Sequence, residues 1–306
     1  MAKILIATEK PFAKVAVDGI KEVAETAGLE IVLLEKYTEK AQLLAAVADV
    51  EAMIIRSDKI DNEVFDAAKN LKIVVRAGAG YDNVDLAAAT AHGVVVMNTP
   101  GQNSNAVAEL VFGMLVFAVR NFYNGKAGTE LKGKKLGILA YGNVGRRVAH
   151  IAKGFDMDVY AYDAYCPAAA IESDGVKAVS SQDELFEKCE VVSLHIPATA
   201  ETRQSINYAL VGKMPKGGVL VNTARKEDIN EPELLKLMQD RTDLKYVTDI
   251  MPEADADFRI LEGRYFSTPK KMGAQTAEAN INAGVAAAHQ IAAFFKDGCT
   301  KYQVNK

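Results

Sequence analysis

Two glycines three residues apart, Gly142 and Gly145, follow the small apolar run LGILAY and open the segment GNVGRRVAH. A strand that turns through such a pair into a helix can hold a pyrophosphate. One position bends tightly, a second lets the backbone approach the phosphates, and a third lets the helix pack on the strand. Gly142 and Gly145 fill the second and third places, while the first is Ala140. An alanine is tolerable there on the expectation that its φ stays negative. The helix would start near Asn143 and Val144, where free amides favour anionic charge.

A carboxylate follows at a telling distance, since Asp163 closes the run DVYAYD. An acid at the end of this second strand accepts hydrogen bonds from an adenosine ribose and repels a 2′-phosphate. No arginine follows it in AYCPAAA, so the pattern favours NAD over NADP. A strand, turn and helix of purely structural use is the other reading. Two arginines also end apolar runs: Arg56, next to Ser57, closes AMIIRS, and Arg76 closes KIVVR. Side chains at strand carboxyl ends can face a binding cleft, and a guanidinium fork suits a phosphate through two parallel hydrogen bonds. One structural and one surface arginine would look the same. Asn103 and Ser104 either add polar contacts or cap the helix that follows.

These residues need a scaffold, and the chain reads as one built from alternating strands and helices. The first set of strand-like runs is ILIA, IVLL, AMIIRS, KIVVRAG and VVVMN; the second is KKLGILAYG, DVYAYD, VVSLHIP, GVLVNTA and KYVTDI. Short, wholly apolar runs suit parallel sheets covered by helices on both faces. Two doubly wound units fit better than one large sheet. A long apolar helix is expected after Pro100-Gly101, and another between a Thr276 cap and Gly298, crossing back to complete the first unit. In open sheets of this kind a ligand sits at the strand carboxyl ends, so a cleft between the two units is the expected site.

Composition narrows the classes. The 306 residues are 49% hydrophobic and 25% charged, with a net charge of −4, which suits a soluble globular protein. An acidic balance argues against a nucleic-acid partner, and the dense basic step Lys270-Lys271 is too short to be a basic stripe. Cys166, Cys189 and Cys299 are odd in number and far apart, so no disulfide framework is implied. No His or Cys pair has ligand spacing, so no metal is expected. No run is long enough to span a membrane, and MAKILIATEK does not look like a secretory leader. A reduced cytoplasm is the expected setting.

Five motifs in order, RAGAGYDNVD, NTPGQNSNAVAEL, YGNVG, SLHIPATAETRQSIN and VLVNTAR, resemble the D-isomer-specific 2-hydroxyacid dehydrogenases, over nearly the whole chain. The resemblance implies an α/β fold of two doubly wound parallel-sheet domains with a cleft between them. Residues 1–98 plus 279–306 would form a flavodoxin-like substrate-binding domain, and residues 99–278 a Rossmann NAD-binding domain. It implies NAD as cofactor, hydride transfer at C2 of a small acid, and a homodimer through the NAD-binding domains with 98–128 at the interface. It also suggests a short form without the C-terminal regulatory domain of longer members.

Residue roles follow from the same resemblance. Arg225 would grip the substrate carboxylate and polarise its carbonyl, and Asp249 would face the nicotinamide carboxamide. His195 and Pro197 would lie beside the cofactor, with Thr202, Thr223 and Ala224 completing its pocket. His195 instead hydrogen-bonding backbone is the plainer alternative. Backbone amides at Ala79 and Gly80 would take the carboxylate, Arg56 and Arg76 match positions that meet a phosphate, and Ser57 and Asn103 would be further substrate contacts. The implied pair is then 3-phosphoglycerate and 3-phosphohydroxypyruvate. An unphosphorylated acid such as glyoxylate or hydroxypyruvate is the rival, and an NAD(H)-binding regulator without turnover is the rival from another class.

Two departures from the family pattern stand out. Where a histidine acid/base belongs, the chain reads STPKKMGAQT, leaving Lys270 or Lys271, with the count back from GAQT slightly favouring Lys271. A lysine can do this work if burial or a nearby cation such as Arg225 lowers its pKa from about 10.4. The orienting glutamate would be Glu253, one residue short of its usual spacing. Its pairing with the lysine would oppose Arg225, so the net direction stays open. After Arg225, KEDIN replaces a glycine pair and should change the loop.

Overall fold

β-Branched and other apolar residues make twelve strands, and every strand pairing is parallel. The computed structural model describes all 306 residues. They form two compact units, Met1–Asn103 with Gln275–Lys306, and Ser104–Ala274. The chain changes unit directly before the helix Ser104–Val119 and directly before the Thr276 cap, a few residues from the boundaries expected at 98/99 and 278/279. No helix is long and apolar enough to cross a membrane.

In the first unit the strands are β1 (Lys3–Thr8), β2 (Glu30–Glu35), β3 (Ala52–Ile55), β4 (Ile73–Arg76) and β5 (Val95–Asn98), in the order β2-β1-β3-β4-β5. This is the flavodoxin-like order, with its reversal between β1 and β3. The central strand β3 is buried along its whole length, whereas edge strand β2 is largely accessible. The helix Ala277–Asp297 packs on the helix Lys14–Thr26 through two glycines. A Cβ on Gly19 would stand 2.9 Å from Val285, and one on Gly284 would stand 3.0 Å from Ile20. Thr276 caps the helix by accepting from the Ala279 amide, and Gly298 closes it at φ +65°.

The second unit contains β6 (Lys135–Leu139), β7 (Asp158–Tyr162), β8 (Lys177–Ala178), β9 (Val191–Leu194), β10 (Val219–Asn222), β11 (Lys245–Thr248) and β12 (Tyr265–Ser267). Their order is β12-β11-β10-β9-β6-β7-β8. Counted from β6, this is the Rossmann order with a seventh strand on one edge. The edge strands β8 and β12 were not legible in the sequence, because two or three residues are too few for a periodic pattern. The direction of winding reverses between β6 and β9. Their carboxyl ends therefore border the crevice where a ligand of such a sheet belongs.

Candidate active site

The glycine turn leaves β6 as expected, with Gly142 as N-cap of the helix Asn143–Gly154. Its first position is a correction: Ala140 has φ +76°, in the left-handed region. The surrounding contacts impose this. Ala140 N–H donates to the Tyr162 carbonyl at 2.8 Å, and the next amide, Tyr141 N–H, donates to Asp163 Oδ2 at 2.6 Å. The Ala140 carbonyl then lies so close to the helix that a Cβ on Gly145 would stand 2.4 Å from it. Holding an alanine there costs about 1–2 kcal/mol. A Cβ on Gly142, by contrast, would meet open space, which is the room a phosphate needs.

Asp163 does more than the sequence suggested. Besides Tyr141 N–H, it accepts from Tyr165 N–H at 2.7 Å and Cys166 N–H at 2.8 Å. A carboxylate has about four lone-pair directions, so one remains for a ribose hydroxyl. Sequence order also hid an arginine. Arg146 reaches the same loop from the helix, with Nη2 3.5 Å from Cys166 Sγ, while Nη1 pairs with Asp174 and the guanidinium lies over the Tyr141 ring.

The loop after β9 carries His195, whose N–H donates to the Leu139 carbonyl at 2.9 Å. Its ring nitrogen Nε2 lies 2.9 Å from Ser193 Oγ, so the ring partner is a hydroxyl and not the backbone. Burial pushes the imidazole down to about 3, leaving it neutral. Thr202 closes this loop by donating to the carbonyl of Pro197, itself exposed.

Asn222 shapes the end of β10. Its side-chain oxygen accepts from Ala224 N–H at 2.9 Å, and its amide donates to the Arg225 carbonyl at 3.0 Å. That turn presents the Ala224 carbonyl to two cations. Arg225 Nη1 donates to it at 2.9 Å and Lys271 Nζ at 2.7 Å. Beside them Asp249 is fully buried; its Oδ2 accepts from Gly273 N–H at 2.6 Å. A Cβ on Gly273 would stand 2.8 Å from that oxygen, so glycine admits the carboxylate. Asp249 Oδ1 and the Thr223 hydroxyl are buried without hydrogen-bond partners.

The structure separates the two lysines. Lys270 is exposed on its loop. Lys271 is exposed as a residue, but its ammonium donates to the Ala224 carbonyl at a partly buried point. Burial first, then the positive charge of Arg225, push Lys271 down to about 8, against the opposing fields of Asp249, Glu227 and Asp228.

Glu253 meets a lysine other than the one expected. Its carboxylate pairs with Lys226 at 2.9 Å and is 81% exposed. The Glu231 carboxylate accepts from the amides of Glu253 and Ala254 and ties down that loop. The replacement of the usual glycine pair thus has a visible effect: Lys226–Asp228 form a 3-10 turn, and Lys226 takes the glutamate. Sequence reasoning also missed Asp228, which is completely buried, and Gly273. Asp228 sits in a loop noted only for bulk, and Gly273 gave no signal beyond its place in GAQT.

In the first unit, Arg56 and Arg76 lie at the carboxyl ends of β3 and β4 as expected. Arg56, however, donates to the carbonyls of Lys10 and Pro11, both at 3.0 Å, and to Asn280 Oδ1 at 2.7 Å. Its guanidinium also lies over the Phe12 ring. Those bonds tie segments of the unit together and occupy much of the fork that was expected to meet a phosphate. Arg76 Nε donates to the Arg56 carbonyl, and its guanidinium crosses Gly78, where a Cβ would stand 1.5 Å from Nη1. Ser57 and Ala79 are exposed, and Gly80 and Asn103 half-buried.

Known proteins resemble this chain in sequence and architecture. Residues 113–265 match the family model described as D-isomer specific 2-hydroxyacid dehydrogenase, NAD binding domain. The chain is 33% identical to D-3-phosphoglycerate dehydrogenase of Methanocaldococcus jannaschii, over 95% of this chain and 57% of that one. It is 34% identical to hydroxypyruvate reductase of Thermotoga maritima, over 86% of this chain and 90% of the relative. Among solved structures, NAD+-bound 3-phosphoglycerate dehydrogenase of Entamoeba histolytica is 48% identical, with a TM-score of 0.88 over 100% of this chain and 99% of that one. The chain spans little more than half the length of the Methanocaldococcus jannaschii relative.

Proposed function

Because the chain belongs to the D-isomer-specific 2-hydroxyacid dehydrogenase family, we propose that it is an NAD-dependent oxidoreductase interconverting 3-phosphoglycerate and 3-phosphohydroxypyruvate, the first step of serine biosynthesis. The observation that carries this reading is the convergence of Arg225 and Lys271 on one carbonyl oxygen, with the lysine held near 8. Similarity to 3-phosphoglycerate dehydrogenases supports the phosphorylated substrate.

The cofactor fits the residues present. Gly142, Asn143, Val144 and Gly145 would hold the pyrophosphate, Asp163 the adenosine ribose, and the loop carrying His195, Pro197 and Thr202 would line the adenosine side. Thr223, Ala224 and Asp249 would face the nicotinamide. An unpartnered acceptor at Asp249 and an unpartnered hydroxyl at Thr223 match the donor and acceptor of a carboxamide. When bound, NAD supplies hydride exchange with C2 of the acid.

The chain's own residues do the rest. Arg225 presents a planar fork that binds a carboxylate two atoms at a time and polarises the adjoining carbonyl. Lys271, as ammonium, gives a proton to the C2 oxygen during reduction; as amine, it takes that proton during oxidation. Neutral His195 adds no charge to the cofactor side.

We also assign a cytoplasmic setting and a homodimer. Asn121, Phe122 and Tyr123 are consecutive left-handed residues, and Tyr123 is 65% exposed. Such strain and exposed aromatic surface suit a segment that a second copy covers. Sedimentation of wild type and Tyr123→Glu checks this, a monomer for both counting against it.

The experiment that tests the activity is NADH oxidation with 3-phosphohydroxypyruvate, hydroxypyruvate and glyoxylate. Turnover preferring the phosphorylated acid supports the proposal. Preference for an unphosphorylated acid would favour the second reading, for which similarity to a hydroxypyruvate reductase speaks. NADH binding without any turnover would leave a regulator.

A further inference from the structure

Asp228 is the one buried carboxylate whose two oxygens both lack a hydrogen-bond partner. It lies three residues after Arg225, at the end of the 3-10 turn Lys226–Asp228. The backbone of that turn is pinned from the neighbouring segment, since Gln204 N–H donates to the Glu227 carbonyl and Ile206 N–H to the Asp228 carbonyl. These ties hold the backbone that carries the buried carboxylate. Leaving such a group buried and unpaired is costly, so a fold that retains it without use would be unusual.

The charged groups acting on Asp228 are Arg225 and Arg203, which favour its ionised form, and Glu227, which opposes it, with the Thr202 hydroxyl beside it. Thr202 has committed its proton to the Pro197 carbonyl. Arg225 meanwhile uses Nη1 on the carbonyl of its own neighbour, Ala224. A guanidinium has five donors. Presenting two of them to a substrate carboxylate in a fixed plane requires an anchor for the others. Resting on the assignment of Arg225 as the carboxylate grip, we propose that Asp228, buried three residues along the chain with both oxygens unpartnered, is the positioning residue that anchors Arg225 when substrate is bound, and that its negative charge partly offsets that of Arg225 at Lys271. Asp228 thereby takes the tuning place that the sequence offered to Glu253, whose carboxylate is held by Lys226.

Electrostatics agree with the placement. Lys271 faces Arg225, which lowers it, and Asp249, Glu227 and Asp228, which raise it. Burial pushes Asp228 itself up to about 6, so at neutral pH its carboxylate is ionised and available to a cation.

The test is Asp228→Asn, which keeps shape and removes charge. KM for 3-phosphohydroxypyruvate is expected to rise about tenfold or more, with NADH affinity unchanged. The midpoint of the pH dependence of reductive methylation at Lys271, followed by NMR with labelled formaldehyde, is expected to fall by about half a unit. The thermal midpoint at pH 8 should hold or rise, because an unpaired buried charge is gone. A normal KM and an unmoved Lys271 midpoint would overturn the proposal, as would a lowered thermal midpoint with normal kinetics. Should wild type turn over no 2-oxo acid, the functional reading fails on its own; the Lys271 midpoint still decides the electrostatic half, and the affinity of Arg225 for oxalate in wild type and variant decides the anchoring half.

Discussion

Arg225 and Lys271 share one acceptor, the carbonyl oxygen of Ala224, at 2.9 and 2.7 Å. A single neutral oxygen cannot compensate two cations, so the pair favours either loss of the lysine proton or arrival of an anion. Both are steps of the proposed reaction, and the arrangement links them.

Removing each lysine singly separates their roles. Lys271→Ala is expected to lower kcat by about 10²–10⁴, while Lys270→Ala, at an exposed loop position, leaves it near wild type. Steady-state NADH oxidation decides it, and equal losses in both variants would remove Lys271 from its assigned role.

The direction of catalysis should divide around pH 8. Lys271 must be neutral to take a proton, so oxidation of the hydroxy acid should rise through about 8, and reduction should fall above it. The same depression makes the folded state release this proton before the unfolded chain does, which holds it to 10.5. This group therefore weakens folding below about 8, and the penalty fades as pH rises towards 10.5. Rate profiles in both directions check the first statement; a limb near 6.5, the ordinary histidine range, would contradict it.

Replacing the guanidinium by an ammonium at the strand end should not be conservative. Arg225→Lys is expected to reduce kcat/KM on the order of 10²-fold, because a point charge cannot bind a carboxylate two atoms at a time. NADH titration should be nearly unchanged, and a matching loss of NADH affinity would point to a wider collapse of the site.

At the glycine turn the strain is local and testable. Ala140→Gly relieves φ +76°, although added freedom in the unfolded chain returns about 0.4–1 kcal/mol, so stability should change little or rise. Ala140→Val places a β-branched residue at positive φ and should cost about 2 kcal/mol or more. Chemical denaturation measures both, and an equally stable valine variant would show that the turn relaxes freely.

The two strand-end arginines should behave differently. Arg56→Met loses bonds to Lys10, Pro11 and Asn280 and is expected to lower stability by about 2 kcal/mol, with the preference for the phosphorylated acid retained. Arg76→Met should reduce that preference. Gly78→Ala should reduce it too, since its Cβ would collide with the Arg76 guanidinium. Specificity constants on phosphorylated and unphosphorylated acids distinguish these outcomes.

The alternation of strands and helices, the glycine turn, the return helix between Thr276 and Gly298, and the family were all legible in residue order. These depend on local signals: apolar runs, caps, and motifs in fixed order. Tertiary structure alone decided which charges meet. Lys270 and Lys271 are adjacent in the chain, yet only Lys271 reaches Ala224, because a side chain's partners depend on where its loop lands beside β10. Glu253 was the acid nearest the family spacing, one residue short of it, but Lys226 takes its carboxylate and Glu231 ties down its backbone. Ala140 was expected at negative φ, and ties to Tyr162 and Asp163 on the next strand impose the opposite sign. Asp228 carried no visible signal, since burial and the absence of a partner are properties of packing. Residue order specifies the elements; the distances between charges arise only when those elements pack.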